Sequence, residues 1–301
     1  MSVVGIIFAI SNLFLVLIFW AINLGVHKPK RGKLFGVNMP EGHMNDERVQ
    51  EIVSGYLKRD KRWFLIALIT AFLPLYPTDY FSITYSFFLI WTTWVIVYKM
   101  AIFGKTVKKL RDLKDACGWF DPVRDADEKH WYGGVWYHNP DSKKMFTNQY
   151  MMGMGSTVNM ATRGGKIFMI AVAIILFVSL VPTWAMIVID DFVPPKIELS
   201  ETSFSIRSGF GKVETPYEDI VSISWEEDLK IGTKSNGSGT PIYSRGTFFV
   251  GDYGKCYVNR FKAVPEMILV IRENDKPMVF NTVSLEKTQE IYRALLKRIN
   301  E

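Results

Sequence analysis

The chain has 301 residues, of which 49% are apolar, and its 36 Lys and Arg against 30 Asp and Glu give a net charge of +6. The positive excess lies in two loops beside apolar segments, so we interpret it as a topology signal and expect no nucleic-acid partner. The two cysteines, Cys117 and Cys256, have no metal-type spacing.

Four segments without Asp, Glu, Lys or Arg divide the chain, at residues 3–26, 63–76, 81–98 and 167–189. A hydrocarbon core about 30 Å thick needs roughly 20 helical residues to span it. The first and last segments meet this length, whereas residues 63–76 are fewer and include Pro74. We predict an α-helical membrane bundle of four transmembrane helices, whose middle two form a hairpin that turns at residues 77–79.

The loop charges predict the orientation. Residues 27–62 carry nine Lys and Arg against five Asp and Glu, and residues 99–166 carry twelve against seven. Residues 196–301 carry fifteen of each. The positive-inside rule therefore predicts a multi-pass protein of the plasma membrane with both loops in the cytoplasm and both termini outside. Basic residues at the loop edges are expected to attract anionic lipid by about 1 kcal/mol each.

This topology predicts six regions and separates the cysteines. In chain order the regions are transmembrane helix 1 (1–26), a cytoplasmic basic loop with an amphipathic helix (27–62), the transmembrane hairpin (63–103), a cytoplasmic aromatic and glycine-rich domain (104–166), transmembrane helix 4 (167–190) and an extracytoplasmic β-domain (191–301). Cys117 is predicted inside and Cys256 outside, as free thiols that cannot pair within one chain. A bridge between two chains through Cys256 is the alternative.

The first loop is predicted to hold an amphipathic helix. Asn45 is a candidate N-cap, with acidic residues following in the first turn. Apolar residues then recur at helical spacing, at Val49, Ile52, Val53, Tyr56 and Leu57. This stripe fits a helix on the inner membrane surface and equally a helix packed against the other cytoplasmic loop.

Residues 121–128 are acidic, but they lack the central Gly and the terminal Glu of a calcium-binding EF-hand loop. We interpret them as a solvated acidic turn. The four histidines form no His-Glu-x-x-His pair, and no Gly-x-Ser-x-Gly elbow is present. We therefore predict no metal, no cofactor and no enzymatic activity.

Aromatic residues, glycines and asparagines crowd residues 131–161. The segment contains Tyr137-His-Asn-Pro-Asp and then Gly153-Met-Gly-Ser-Thr-Val-Asn. The two glycines of the second motif have no following Lys-Ser/Thr and no strand–helix frame, which argues against nucleotide binding. The density of these residue types exceeds the needs of a connector, and the candidate interaction residues are Trp131, Trp136, Tyr137, Asn139, Asp141, Gly153, Gly155 and Asn159.

After residue 194 the hydrophobic period becomes that of strands. Strands are predicted at residues 196–199, 204–207, 212–215, 220–225, 243–249, 256–259, 267–272 and 278–281, with a flexible loop at 227–239. Ser284 is the predicted cap of a final helix whose buried stripe is Ile291, Leu295, Leu296 and Ile299. This order predicts a small β-sheet or barrel closed by one α-helix.

Three resemblances follow from these motifs. The strand-then-helix order, with Pro195-Lys-Ile-Glu-Leu, Pro216-Tyr-Glu-Asp-Ile and Arg245-Gly-Thr-Phe, resembles the bacterial pleckstrin-homology-like (PH-like) domain. Residues 131–161 resemble a domain-of-unknown-function family (type 5808) of bacterial and archaeal membrane proteins. Leu34-Phe-Gly-Val-Asn-Met-Pro and the helix after it are similar to a loop of bacterial membrane proteins, some of which accompany toxin-immunity proteins of the sporulation-delay type.

These observations favour binding over catalysis. We expect a non-enzymatic bacterial membrane protein that binds a protein, envelope or peptide partner through its PH-like domain, with antimicrobial-peptide resistance or immunity as a narrower hypothesis. Candidate ligand residues are Lys230, Lys234 and Arg245, although residues 230–245 also fit a mobile solvated loop. The alternatives are a structural subunit or homo-oligomer, and a transporter, which the lack of ionisable residues inside the apolar segments disfavours.

Overall fold

The computed structural model describes residues 3–30, 32–40, 42–76, 78–123, 125–148, 156–209 and 211–300. They divide into two units, one of residues 1–77 and 86–180 and the other of residues 78–85 and 181–301. The helices are α1 (Val3–Asn23), α2 (Glu47–Thr70), α3 (Phe81–Ala116), α4 (Arg163–Phe192) and α5 (Leu285–Asn300). The strands of the first unit are β1 (Lys33–Leu34), β2 (Val37–Asn38), β3 (Trp131–Tyr132), β4 (Trp136–Tyr137), β5 (Phe146–Asn148) and β6 (Ser156–Val158).

The strands of the second unit form two sheets. They are β7 (Lys196–Leu199), β8 (Ser203–Ser208), β9 (Gly211–Pro216), β10 (Ile220–Glu226), β11 (Ile231–Gly239), β12 (Tyr243–Val250), β13 (Lys255–Phe261), β14 (Met267–Arg272) and β15 (Met278–Phe280). One sheet has the order β7-β8-β9 and the other the order β10-β14-β15-β13-β12-β11. All neighbours are antiparallel except β13 and β15.

In the first unit, α2 packs antiparallel against α3 along the length of α2. At one end Arg48 Nη1 lies 3.2 Å from Cys117 Sγ, just past the end of α3. Further along, Trp63 Nε1 donates to Val95 O at 3.3 Å. Near the other end the indole of Trp91 donates to Thr70 Oγ1 at 2.8 Å. These contacts form a helical hairpin, whose first arm is a 24-residue helix that begins well before the apolar segment.

Three helices, α1, α3 and α4, are long and apolar enough to cross a membrane among the residues described. The prediction of four such helices is not met, because α2 is amphipathic over most of its length and ends at Thr70. Its apolar segment starts at Trp63, so only about two helical turns are uncharged. A short 3-10 turn, Leu73–Leu75, continues the chain toward α3.

The N-cap of α2 lies one residue later than predicted. Asp46 is the N-cap, and its carboxylate accepts from the backbone N–H of Arg48 at 2.9 Å. Asn45 belongs to the preceding 3-10 turn. The predicted stripe is buried at Val49, Val53 and Tyr56, which pack in one core with residues of β1, β2 and α3. Val107 and Leu110 of this core belong to the predicted second loop, so the helix packs there as one of the two alternatives proposed, although Leu57 remains 40% exposed.

The second unit buries apolar side chains on both faces of its larger sheet. On one face Ile268 and Phe280 pack with Phe204 of β8 and Leu295 of α5. The other face forms a separate cluster around Val258 and Leu269. The alternating pattern of β14 accounts for this, because successive side chains of a strand point to opposite faces. Ser284 caps α5 as predicted, since its hydroxyl accepts from the backbone N–H of Lys287 at 3.3 Å.

The predicted flexible loop at residues 227–239 is mostly strand. β11 spans Ile231–Gly239 and pairs antiparallel with β12, although its sequence is rich in Gly, Ser and Lys. Gly237 and Gly246 lie opposite each other in this pairing, both with φ near 119°. A Cβ on Gly246 would lie 2.3 Å from Asn236 O, so the two backbones approach closely because neither glycine has a side chain.

We expect Gly246→Ala to separate β11 from β12 locally and to destabilise the sheet by about 2 kcal/mol or more, because alanine is strained at this φ and clashes with backbone. Hydrogen exchange of the full-length protein should then be faster in β11 and β12. Gly239→Ala is the matched control, since no atom lies within 4 Å of a Cβ there. Equal protection in both variants would contradict the close-approach argument.

Candidate functional site

A hydrogen-bonded cluster centred on Asn159 organises the aromatic and glycine-rich segment. Asn159 is fully buried, and its Oδ1 accepts from the backbone N–H groups of Asn139 at 2.9 Å and Ala161 at 3.1 Å. Its Nδ2 lies within 2.9–3.3 Å of the carbonyl oxygens of Asn139, Ser142 and Lys144. One amide side chain thus joins the Asn-Pro-Asp turn to the strand that precedes α4.

The first turn of α4 is linked by hydrogen bonds to the same residue, Asn159. Thr162 Oγ1 donates to Asn159 O at 2.9 Å and accepts from Gly165 N at 3.0 Å, which caps the helix. A Cβ at Gly165 would lie 2.1 Å from Asn159 O, so the glycine permits this contact. The position of α4 therefore depends on the folding of the segment before it.

A second set of contacts links Tyr137 to the chain before β3. The Tyr137 hydroxyl donates to Asp127 Oδ1 at 2.8 Å and accepts from Asn139 Nδ2 at 2.9 Å. The indole of Trp131 donates to Asp127 Oδ2 at 3.2 Å. Burial raises the pKa of Tyr137, and the contact with Asp127 raises it further. The structure thus brings together four predicted interaction residues: Trp131, Tyr137, Asn139 and Asn159.

The remaining predicted residues of this segment are placed differently. Trp136 is 51% exposed, and Asp141 is exposed at the Asn-Pro-Asp turn, where its backbone N–H donates to Asn139 Oδ1 at 2.9 Å. Gly153 and Gly155 lie outside the described residues. The buried members form internal contacts, so Trp136 and Asp141 are the described members whose side chains a partner can reach.

The acidic residues at 121–128 are not all solvated, which corrects the interpretation as a solvated turn. Asp125 and Glu128 are buried and lie 2.6 and 3.2 Å from the Lys114 Nζ at the end of α3. The backbone N–H of Asn38 donates to the Glu128 carboxylate, and Asn38 Nδ2 donates to Asp125 Oδ1 at 3.3 Å. This cluster joins the β1–β2 hairpin, α3 and the acidic segment.

The two carboxyl groups respond oppositely to this environment. Burial raises the pKa of Glu128, and the charge of Lys114 and the bond from Asn38 offset part of that effect. Burial also acts to raise the pKa of Asp125, but hydrogen bonds from Lys114, the Asp121 N–H and Asn38 outweigh it and the pKa is lowered. Asp125 is therefore stabilised in its ionised form as the partner of Lys114, whereas burial disfavours the ionised form of Glu128.

We expect Glu128→Gln to become more stable relative to the wild type as pH rises from about 4.5 to 7. A carboxyl whose folded-state pKa is raised stabilises the fold fully below its ordinary pKa of 4.5 and loses that contribution as pH rises through the folded pKa. Asp125 has a lowered pKa, so its contribution to stability changes only below its ordinary pKa of 3.8, which is outside this window. Thermal unfolding across this range measures the effect, with exposed Glu47→Gln as control. A stability difference independent of pH would contradict it.

The three candidate ligand residues of the C-terminal unit are not brought together. Lys230 and Lys234 are exposed, just before and within β11. Arg245 of β12 is only 4% exposed. Its Nη1 lies 3.2 Å from Asp190 Oδ1, its Nη2 donates to Val193 O at 3.1 Å, and its guanidinium is 3.9 Å from the ring centroid of Tyr243. Arg245 is therefore bound to the end of α4, and of the three candidate ligand residues Lys230 and Lys234 are the two with accessible charges.

A pair of acidic residues at the end of α4 was not among the predicted functional residues. Asp190 binds Arg245, and the neighbouring Asp191 is 2% exposed and accepts from the backbone N–H of Ser82 at 2.5 Å. Close by, the rings of Tyr80 and Phe192 stack with centroids 4.9 Å apart. Two adjacent acids directly after an apolar segment were the available signal, because charges at such a position need partners when buried.

The described residues contain no group of three or more His, Cys, Asp or Glu side chains that could hold a metal ion. Both cysteines are free thiols, Cys117 partly exposed and Cys256 buried. Burial raises the pKa of Cys256, which makes it a poor nucleophile.

The C-terminal unit is a β-sheet domain closed by a terminal helix, and residues 195–296 match the bacterial PH domain family. The predicted PH-like domain is thus confirmed for this third of the chain. The match does not extend to residues 131–161, so the resemblance of that segment to the domain-of-unknown-function family stays a prediction. Comparison with curated proteins and with solved structures gave no match.

Proposed function

We propose that this protein is a non-catalytic, integral membrane protein of the bacterial cell envelope whose PH-like domain binds a partner on the extracytoplasmic side. The observation that carries the proposal is the attachment of the PH-like sheet to the end of an apolar helix. Arg245 of β12 pairs with Asp190 of α4, and Asp191 accepts from the backbone N–H of Ser82 at the start of α3. A partner bound to the sheet is thereby linked to two helices.

Membrane insertion is supported by the surfaces of the apolar helices. None of the most apolar 18-residue window of α4 is buried, and only 22% and 28% of the corresponding windows of α1 and α3 are. Large bare apolar surfaces of this kind are stable in lipid and not in water. We propose that the end of α2 enters the membrane beside α3, because the two helices pack antiparallel from Arg48 to Thr70.

The partner surface that the sheet favours is the edge strand β11. It stands at one end of the six-stranded order, and all its residues except Ile231 and Ser238 are exposed. An edge strand presents unpaired backbone groups to which an extended peptide can add as a further strand. Lys230 directly precedes this strand and Lys234 lies within it, and their charges favour an acidic peptide segment. The partner is thus a protein or peptide with an exposed acidic extended segment.

Site-specific photocrosslinking in native membranes tests this mode. A crosslinker at Ser235 of β11 should give a discrete adduct of higher mass, whereas one at exposed Glu290 of α5 should not. Adducts from both positions, or from neither, would contradict binding along β11. Deletion of residues 194–301 should also abolish every phenotype that depends on the protein. A deletion that leaves those phenotypes intact would remove the proposal.

Two alternatives have their own tests. A structural subunit of a larger membrane complex is favoured by the bare surface of α4, and migration of the detergent-extracted protein as a lone monomer on native gels would count against it. The narrower hypothesis of antimicrobial-peptide resistance or immunity rests on the resemblances. Unchanged sensitivity of a deletion strain across a broad panel of peptides would remove it.

A further inference from the structure

An open cationic cleft of about 420 Å³ lies between α2 and α3 in the first unit. Its lining includes three basic side chains, one acid and two small residues of α2: Lys58, Arg59, Lys109, Glu51, Ser54 and Gly55. The basic residues outnumber the acid by two. The cleft is distinct from the PH-like domain and from the cluster around Asn159.

The basic groups of this cleft are not neutralised within the described part of the chain, where no carboxylate lies within 4.0 Å of any of the three. Arg59 is partly buried, and its Nε has no hydrogen-bond partner. Its Nη2 makes one long contact, 3.4 Å to Thr106 Oγ1. The positive charges of Arg59 and of the two lysines therefore have no paired carboxylate, and an anion in the cleft would supply that counter-charge.

We propose that this cleft binds a phosphoryl group. A guanidinium fork and two flexible ammonium groups suit the several oxygens of a phosphate, which can accept from all three at once. Gly55 leaves the α2 wall open, because a Cβ there would meet nothing nearer than the Arg59 guanidinium at 3.6 Å. A larger side chain at residue 55 would fill the cleft without changing its charge.

The position along α3 is that of a lipid headgroup if the apolar helices lie in the membrane as proposed above. Lys99 ends the apolar part of α3, where it pairs with Asp60 of α2. Thr106, which Arg59 contacts, lies seven residues further, or about 10 Å along the helix. Headgroups occupy the layer just outside the hydrocarbon core. The phosphoryl group can thus belong to an anionic phospholipid or to a soluble phosphate compound.

Binding to the full-length protein in neutral detergent tests the site, with native mass spectrometry as readout and phosphatidylglycerol, oleate and inorganic phosphate as probes. We expect Lys58→Gln with Lys109→Gln to weaken phosphatidylglycerol binding about 25-fold, on the basis of about fivefold for each lysine. Gly55→Gln should weaken it with the charge unchanged. The matched control is Lys108→Gln, since Lys108 is also exposed on α3 but does not line the cleft.

The results distinguish a phospholipid headgroup from a soluble phosphate compound, and both from a cleft that binds no phosphoryl group. Competition by inorganic phosphate indicates a soluble phosphate compound, and phosphatidylglycerol binding that phosphate does not compete indicates a lipid headgroup. Equal binding of oleate, an effect of Lys108→Gln as large as that of Lys109→Gln, or no effect of the cleft variants would overturn the proposal. None of these readouts involves β11, so failure here is distinct from failure of the proposed partner binding.

Discussion

Replacing Asn159 by alanine is expected to unfold the segment between α3 and α4 locally. The change removes contacts to two backbone N–H groups and three carbonyl oxygens in a fully buried position. Each buried polar group left without a partner costs roughly 1–3 kcal/mol, so we expect a loss of about 3–5 kcal/mol. Hydrogen exchange of the full-length protein should become faster in β3 and β4 and at the start of α4.

The neighbouring Asn148→Ala is the control, because Asn148 is exposed on β5. If Asn159→Ala matched this control in exchange and in thermal unfolding, the cluster would not organise the segment.

A variant at Trp136 tests whether the exposed part of the segment contacts a partner. Loss of a binding phenotype in Trp136→Ala, with exchange unchanged, would assign partner contact to the exposed part of the segment and leave the buried part structural.

The second large effect is expected at the attachment of the PH-like domain. Asp190→Ala should destabilise the second unit by about 3 kcal/mol, near the lower end of the range for breaking a buried ion pair. Arg245 is left with Val193 O and the Tyr243 ring but without its paired carboxylate, and its side chain is only 5% exposed. The 25% exposure of the Asp190 side chain limits the effect.

Limited proteolysis and hydrogen exchange measure this loss between the end of α4 and β7. Glu198→Gln on β7 is the control, since that carboxylate is exposed. Asp190→Asn should be milder than Asp190→Ala, because its amide oxygen can still accept a hydrogen bond from Arg245. An Asp190→Ala protein as resistant to protease as the control would show that the Arg245 contact does not hold α4 to the sheet.

The strands of the PH-like domain could be predicted from the sequence because their signals are local. β7 and β14 were predicted with the same bounds, and the other predicted strands differ by one or two residues at one end or both. Alternating apolar residues between turn-forming residues are sufficient for this. β11 was missed because its residues have low strand propensity. Pairing with β12, and the close approach of Gly237 and Gly246, stabilise it instead.

The buried charges could not be predicted, because their partners are distant in the chain. Asp125 and Glu128 look solvated in sequence, and their burial depends on Lys114 and on Asn38, which is about 90 residues away. Arg245 was predicted as a ligand contact for the same reason, since Asp190 is 55 residues away. A charged residue is predicted to be exposed when the sequence does not reveal its partner. The clustering of Tyr137, Asn139 and Asn159, by contrast, was visible as an unusual local density of polar and aromatic residues.

The proposed function depends on the membrane topology, and the native cysteines are poor reporters of it because Cys256 is buried. Single cysteines at exposed Lys143 and Ser235, in a chain with Cys117→Ser and Cys256→Ser, are suitable. Intact cells would be treated with a membrane-impermeant maleimide, with permeabilised cells as control. We predict labelling of Ser235→Cys in intact cells and of Lys143→Cys only after permeabilisation. The reverse pattern would place the PH-like domain in the cytoplasm and contradict the proposed function.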